Sequence, residues 1–174
     1  MNKRDHQRFE ALLHEHRGIV FKVAGAYARD MEDRRDLAQE ICTQLWRAFP
    51  SFDEARGRFS TWMYRIALNV AISQHRRVSG EPAFVESLGA EHLEQIGAEA
   101  VVEPDERLTA LYRFIGELDP LHRALILLYL EDRSYADIAD VLGISVTNVA
   151  TKIGRVKQRL RAQASQAALV EGGD

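Results

Sequence analysis

Cysteine is nearly missing from this chain: Cys42 is the one thiol in 174 residues. That excludes an internal disulfide framework and fits a reducing compartment. Beside Ile41 in a helical pattern, Cys42 reads as a small buried hydrophobe. No 18-residue apolar run exists, which excludes a transmembrane helix and membrane insertion. Nor does an uninterrupted apolar segment follow Met1-Asn-Lys-Arg-Asp-His6, so no signal peptide is expected and the chain is expected to be cytoplasmic. The histidines (6, 14, 16, 75, 92 and 122) are scattered, and His14 and His16 fall on divergent helix faces. With no nucleophile motif and no metal-ligand spacing, the expectation is a protein that is not an enzyme, without catalytic residues, metal or cofactor.

Positive charge is absent from one long stretch. Residues 78–105 hold no Lys or Arg and seven Asp and Glu. Residues 1–77 hold 14 Lys and Arg against 10 Asp and Glu, a net of +4. The remainder, 106–174, carries nine of each, although 145–163 alone is +5. The whole-chain net charge of −3 therefore hides two basic segments around an acidic one and does not argue against nucleic acid. The acidic stretch, with three glycines and two prolines, reads as a flexible linker. As a coil it averages roughly 30 Å end to end. Such a run is either a solvated spacer or an occupant of a basic groove in place of nucleic acid.

Hydrophobic residues make up 46%, enough for packed cores on either side of that linker. The fold class expected is all-α: two small helical domains joined by a flexible acidic linker, the second a four-helix module with a helix-turn-helix. Phe9, Leu12, Leu13, Val20, Val23, Ala24 and Tyr27 follow a helical rhythm with a break near Gly18. A second helix is expected from about Asp33 to Phe49 on Leu37, Ile41, Leu45 and Ala48, stopped by Pro50. A third begins near Ser60 with Trp62, Met63, Ile66, Val70 and Ala71 as its apolar stripe. After the linker, Leu108, Leu111, Ile115 and Leu118 form an amphipathic helix. Asp119-Pro120 then opens a helix that is apolar on nearly all sides as far as Leu130. Residues beyond about 163 are expected to fray.

The last quarter carries the most specific signal. Ser134 is placed to cap a helix, with Asp137 as the weaker member of a capping-box pair. Gly143 stands where that helix must turn left-handed, and Ser145 is a good N-cap for the next helix. From there Val146, Val149, Ile153, Val156 and Leu160 share one side. Thr147, Asn148, Thr151 and Arg155 take the other, flanked by Lys152, Lys157 and Arg159. A helix-turn-helix whose second helix bears cations and no carboxylate is built to lie in a DNA groove. Asn148, Thr151 and Arg155 suit base edges; Lys152, Lys157 and Arg159 suit phosphates.

Two features of the first section invite a function. Asp33, Asp36, Gln39 and Glu40 share a helix face apart from its apolar stripe; that ridge reads as a solvated face, a metal or acid/base site, or a docking surface. Aromatic Phe52, Phe59, Trp62 and Tyr64 interleave with Arg56, Arg58 and Arg65, a chemistry that holds unstacked bases. Some of these rings belong to the core, and Trp62 suits either role.

Together these residues resemble the extracytoplasmic-function (ECF) sigma factors, specificity subunits of bacterial RNA polymerase. Asp33-x-x-Asp36-Leu37-x-Gln39-Glu40 followed by Phe59-Ser-Thr-Trp62-Met-Tyr-Arg65-Ile66-Ala-x-Asn69 is similar to the family's region two. Leu118-Asp-Pro-x-x-Arg123 and Ser134-Tyr-x-x-Ile-Ala-x-x-Leu-Gly-Ile-Ser are similar to its region four. The resemblance implies region two over 1–77, a linker over 78–105, region four over 106–165 and a frayed tail over 166–174. It implies that Asp33, Asp36, Gln39 and Glu40 dock on core RNA polymerase. Phe52, Arg56, Arg58, Phe59, Trp62, Arg65 and Asn69 would meet locally melted DNA near −10. Thr147, Asn148, Thr151, Lys152, Arg155, Lys157 and Arg159 would hold the double-stranded −35 element. The linker would thread into the polymerase cleft. Relatives of this kind are commonly held inactive by an anti-sigma factor, which makes such an inhibitor a candidate partner. Thr147-Asn148 stands where relatives often have Gly-Thr, and Lys152 where many have arginine, so the −35 preference is expected to depart from theirs. The rival reading of the same residues is a stand-alone dimeric helix-turn-helix regulator, which predicts palindromic half-sites bound without polymerase.

Overall fold

A computed structural model describes residues 3–79 and 106–171. The described residues are helical: α1 (Lys3–His16), α2 (Gly18–Tyr27), α3 (Met31–Ala48), two short 3-10 turns (Phe49–Ser51 and Glu54–Arg56), α4 (Phe59–Ser79), α5 (Glu106–Glu117), α6 (Pro120–Leu130), α7 (Tyr135–Leu142) and α8 (Val146–Glu171). The chain falls into two units divided between Asp105 and Glu106. Residues 80–105, most of the expected acidic linker, lie outside the described residues, and its first two positions, Val78 and Ser79, are the end of α4.

In the first unit α2, α3 and α4 pack on one another, with Val23, Ala24, Ile41, Leu45, Met63, Ala67 and Ala71 fully buried between them. α3 starts where the Asp30 carboxylate accepts the amides of Glu32 and Asp33 at 2.9 Å, the ordinary N-cap arrangement. Pro50 ends α3 but continues the chain into a 3-10 turn that buries Phe49. The buried face of α4 differs from the expected stripe. Met63 and Ala71 hold, but Trp62, Ile66 and Val70 are only half-buried, and the core is completed by Phe59, Tyr64, Ala67 and Leu68. The reason is register: Phe59, Met63, Ala67 and Ala71 recur every four residues with Tyr64 and Leu68 beside them, so the buried face is turned past Trp62, Ile66 and Val70, which fall at or beyond its margin. Cys42 is buried as expected, and burial pushes its thiol up to about 11.

In the second unit α6 is the central helix. Arg123 to Leu128 are six consecutive buried residues, more than one full turn, so α6 is surrounded. Only its ends emerge: Leu121 is half-buried and Leu130 exposed. Asp119 caps α6 by accepting the His122 amide and pairing with the His122 ring. Partial burial pushes the Asp119 carboxyl up, but the amides of His122 and Leu121 and the His122 ring outweigh it and hold the group below its ordinary range. In α5, Ile115 is buried and Leu111 half-buried, Leu118 just past its end is buried, and the side chain of Leu108 lies outside the described residues. The tail expected to fray from 166 instead continues α8 through Glu171; residues 172–174 lie outside the described residues. Ala162, Ala164, Ala167 and Ala168, strong helix formers, explain that extension, and Gln163 donates to Glu117 on α5 at 3.2 Å.

Candidate nucleic-acid interface

The geometry of the second unit follows from three local caps. The Ser134 hydroxyl accepts the Asp137 amide at 3.0 Å and donates to the Asp137 carboxylate at 2.8 Å, so the pair closes through the hydroxyl. Gly143 is left-handed (φ 67°, ψ 33°), and the Ile144 amide returns to the Ala139 carbonyl at 3.2 Å, a Schellman ending. Ser145 then accepts the Asn148 amide at 3.1 Å and starts α8. Helix, left-handed glycine and fresh N-cap thus set α8 across α7 as a helix-turn-helix.

Val149, Ile153 and Val156 anchor α8 in the core. The flanking members of the expected stripe do not reach it: Val146 and Leu160 are 49% and 38% exposed. On the outer side Thr147, Asn148, Thr151, Arg155 and Arg159 are exposed, with Lys152 and Lys157 half-buried at the margins. Thr151 donates its hydroxyl back to the Thr147 carbonyl at 3.0 Å, which leaves its methyl for apolar contact. Lys157 is not a plain solvated cation: its ammonium stands 4.2 Å from the Tyr129 ring centroid, a cation–π contact between α8 and α6.

Gly154 lies within this helix, and a Cβ there would meet nothing within 4 Å. Neither backbone conformation nor a neighbouring helix among the described residues requires glycine. Gly154→Ala is therefore expected to stabilise the second unit by about 1 kcal/mol, a rise in Tm of roughly 4–8 °C by calorimetry on the full chain.

The first unit presents a different surface. Phe49 and Phe59 are 4% and 6% exposed and form the floor of an aromatic cluster. Phe59, expected among the residues meeting melted DNA, is buried in the structure: it sits at the first position of α4, turned onto Phe49. Tyr64 is core as well. Phe52 and Trp62 cap the cluster, half-buried, with centroids 5.1 Å apart and each within 5.3 Å of Phe59. Trp62, Arg65 and Asn69, three and four residues apart, share the outward face of α4, and Arg65 and Asn69 are exposed. Arg56 and Arg58 are exposed on the loop beside them. That loop is shaped by Asp53, whose carboxylate accepts the Ala55 amide at 2.9 Å. Two half-buried ring faces bordered by exposed cations are what single-stranded nucleic acid requires.

The acidic ridge lies on α3. Asp36 and Gln39 are exposed; Asp33 and Glu40 are half-buried, and Glu40 accepts from Gln44 at 2.7 Å. Asp36 and Glu40 line an open groove of about 470 Å³ with Gln74, Arg77 and Val78 of α4. Among the described residues no three His, Cys, Asp or Glu side chains come together to hold a metal. Among them, too, no helix is long and apolar enough to cross a membrane.

A helix-turn-helix whose second helix exposes a cationic face is the signature of a DNA-binding transcription protein. The sigma-70 region 2 family matches residues 12–80, and the sigma-70 region 4 family matches residues 108–160. A probable RNA polymerase sigma-C factor of Mycobacterium bovis is 32% identical over 140 residues, spanning 80% of this chain and 74% of the relative. The ECF RNA polymerase sigma factor SigW of Bacillus subtilis is 29% identical over 173 residues, spanning 94% of this chain and 92% of the relative. A solved structure of CnrH in complex with the cytosolic domain of CnrY shares the fold at TM-score 0.64 and 23% identity, covering 97% of this chain and 91% of that one. The sigma factor RpoE in complex with the anti-sigma factor NepR from Bartonella quintana does so at TM-score 0.63 and 22% identity, covering 94% and 98%. The chain belongs to the ECF family of RNA polymerase sigma factors, and it is an alternative sigma factor.

Proposed function

We propose that this chain binds core RNA polymerase and directs it to a promoter class through a division of labour between its units. Asp33, Asp36, Gln39 and Glu40 dock the first unit on polymerase. Phe52 and Trp62, with Arg56, Arg58, Arg65 and Asn69, hold bases exposed as the duplex opens near −10; Phe59 supports them from beneath. In the second unit Asn148, Thr151 and Arg155 read base edges of the −35 element, while Thr147, Lys152, Lys157 and Arg159 fix the register on the backbone. The boundaries are 1–77 and 106–165, joined by the acidic segment 78–105. The protein works in the cytoplasm, performs no chemistry of its own and needs neither metal nor cofactor. An anti-sigma inhibitor is a further partner, since similar folds have been solved with the cytosolic domain of CnrY and with NepR.

The observation that carries this reading is the exposed, carboxylate-free cationic face of α8, set by Ser134, Gly143 and Ser145, in a chain that also bears the ring-and-cation surface of α4. Run-off transcription with core enzyme and a template library from the native host tests it. Promoter-dependent RNA that requires this protein is the expected result; binding to palindromic operators without polymerase would favour the dimeric regulator instead.

A further inference from the structure

One contact reaches the aromatic–cationic loop from a distant part of the sequence. Arg8 of α1 places Nη2 2.5 Å from Glu54 Oε1, and its guanidinium carbon stands 5.8 Å and 5.9 Å from the ring centroids of Phe49 and Phe52. Besides the packing of Phe52 on Phe59 and Trp62 of α4, the loop's remaining hydrogen bonds are local. Asp53 accepts the Ala55 amide, the Arg56 amide returns to the Asp53 carbonyl, and the Phe52 amide returns to that of Phe49. Bonds spanning two or three residues fix the shape of a turn, not its position on the rest of the unit. Arg8 supplies a second attachment, from α1, on the first half of the loop: through the carboxylate of Glu54 and the face of Phe52. A guanidinium suits this double contact because its planar, delocalised charge serves a carboxylate and a ring at once.

We propose that Arg8 is a positioning residue for capture of unpaired bases: it holds the 52–57 loop so that Phe52, Arg56 and Arg58 lie in one surface with Trp62. The proposal deepens the −10 reading above and rests on it for the nature of the ligand. Exposed ion pairs contribute little to global stability. Arg8→Ala is therefore expected to melt with the wild type, while local opening of the loop, which has a low free-energy cost, responds to the lost tether.

Trypsin cleaves after Arg56 and Arg58, so loop opening can be read directly on the full chain by mass spectrometry of those two cuts. Arg8→Ala is expected to speed both by two- to fivefold, the range of an exposed ion pair. Glu54→Ala should match it, the double variant should be no faster than either single one, and Arg8→Lys should fall between Arg8→Ala and the wild type. In a second arm, anisotropy of a fluorescein-labelled mixed-sequence single-stranded oligonucleotide should report about threefold weaker binding for Arg8→Ala. Unchanged cleavage in Arg8→Ala, or additive effects of the two single changes, overturns the role given to Arg8. If cleavage responds as expected but the wild type itself binds no oligonucleotide, the tether stands and the −10 reading fails, so the two failures are separable.

Discussion

Replacing Arg123 with alanine is expected to lower the Tm of the second unit by roughly 10–30 °C while the first unit melts as before. Arg123 is 5% exposed, and its Nη2 donates to the Gly116 carbonyl at 2.6 Å and the Leu118 carbonyl at 3.0 Å. Both acceptors lie at the end of α5, where the last carbonyls of a helix have no partner within it. The guanidinium thus closes one helix from inside the next. Removing it loses two charge-assisted bonds and strands their acceptors, a cost of roughly 2–5 kcal/mol. A unit of this size holds only about 3–10 kcal/mol in all. Circular dichroism should resolve two transitions in the variant, and duplex DNA binding should fall with the early one. Arg123→Lys keeps the charge but not the fork and should recover part of the loss. A second-unit Tm within a degree or two of wild type in Arg123→Ala would show that the two carbonyls find other partners.

Arg123 also marks where reading the sequence stopped short. It was visible as part of a motif shared with the ECF factors, but an arginine beside apolar residues gives no sign that its partners are carbonyls of the preceding helix. What was legible was local backbone chemistry. Ser134, Gly143 and Ser145 act within four residues of themselves, so their types and spacing determined the turn and with it the exposed face of α8. Long-range packing was not legible in the same way. At the start of α4 several aromatic residues compete for one core, and periodicity does not say which ring turns inward; Phe59 did, leaving Phe52 and Trp62 on top. Further along, the buried face of α4 is turned toward Ala67, Leu68 and Ala71 and away from Ile66 and Val70, a small rotation that a count of apolar residues does not fix. The Arg8–Glu54 pair joins two exposed charges far apart in sequence, a juxtaposition only the fold creates.

The other large effect concerns sequence reading by α8. Arg155→Ala is expected to cost 1–3 kcal/mol of discrimination at one base pair, roughly 5- to 150-fold, while leaving other positions of the −35 element as selective as before. Arg155 is exposed at the centre of the outer face, on the same side as Thr151 and Asn148, with a fork able to grip guanine twice. Lys157→Ala is expected to act differently. Its ammonium lies at the margin of that face against Tyr129, a position suited to a phosphate rather than a base edge. Losing it should weaken every sequence alike and make the slope of log affinity against log salt shallower by about one. Tyr129→Leu should reproduce part of the uniform loss with the slope kept, because the charge remains while the ring that holds it in place is gone. Measuring the three variants against a set of single-base substitutions, each over a range of salt, separates base reading from anchoring. If Arg155→Ala weakened all sequences equally and took one phosphate from the slope, Arg155 would be an anchor as well, and the reading of bases would rest on Asn148 and Thr151.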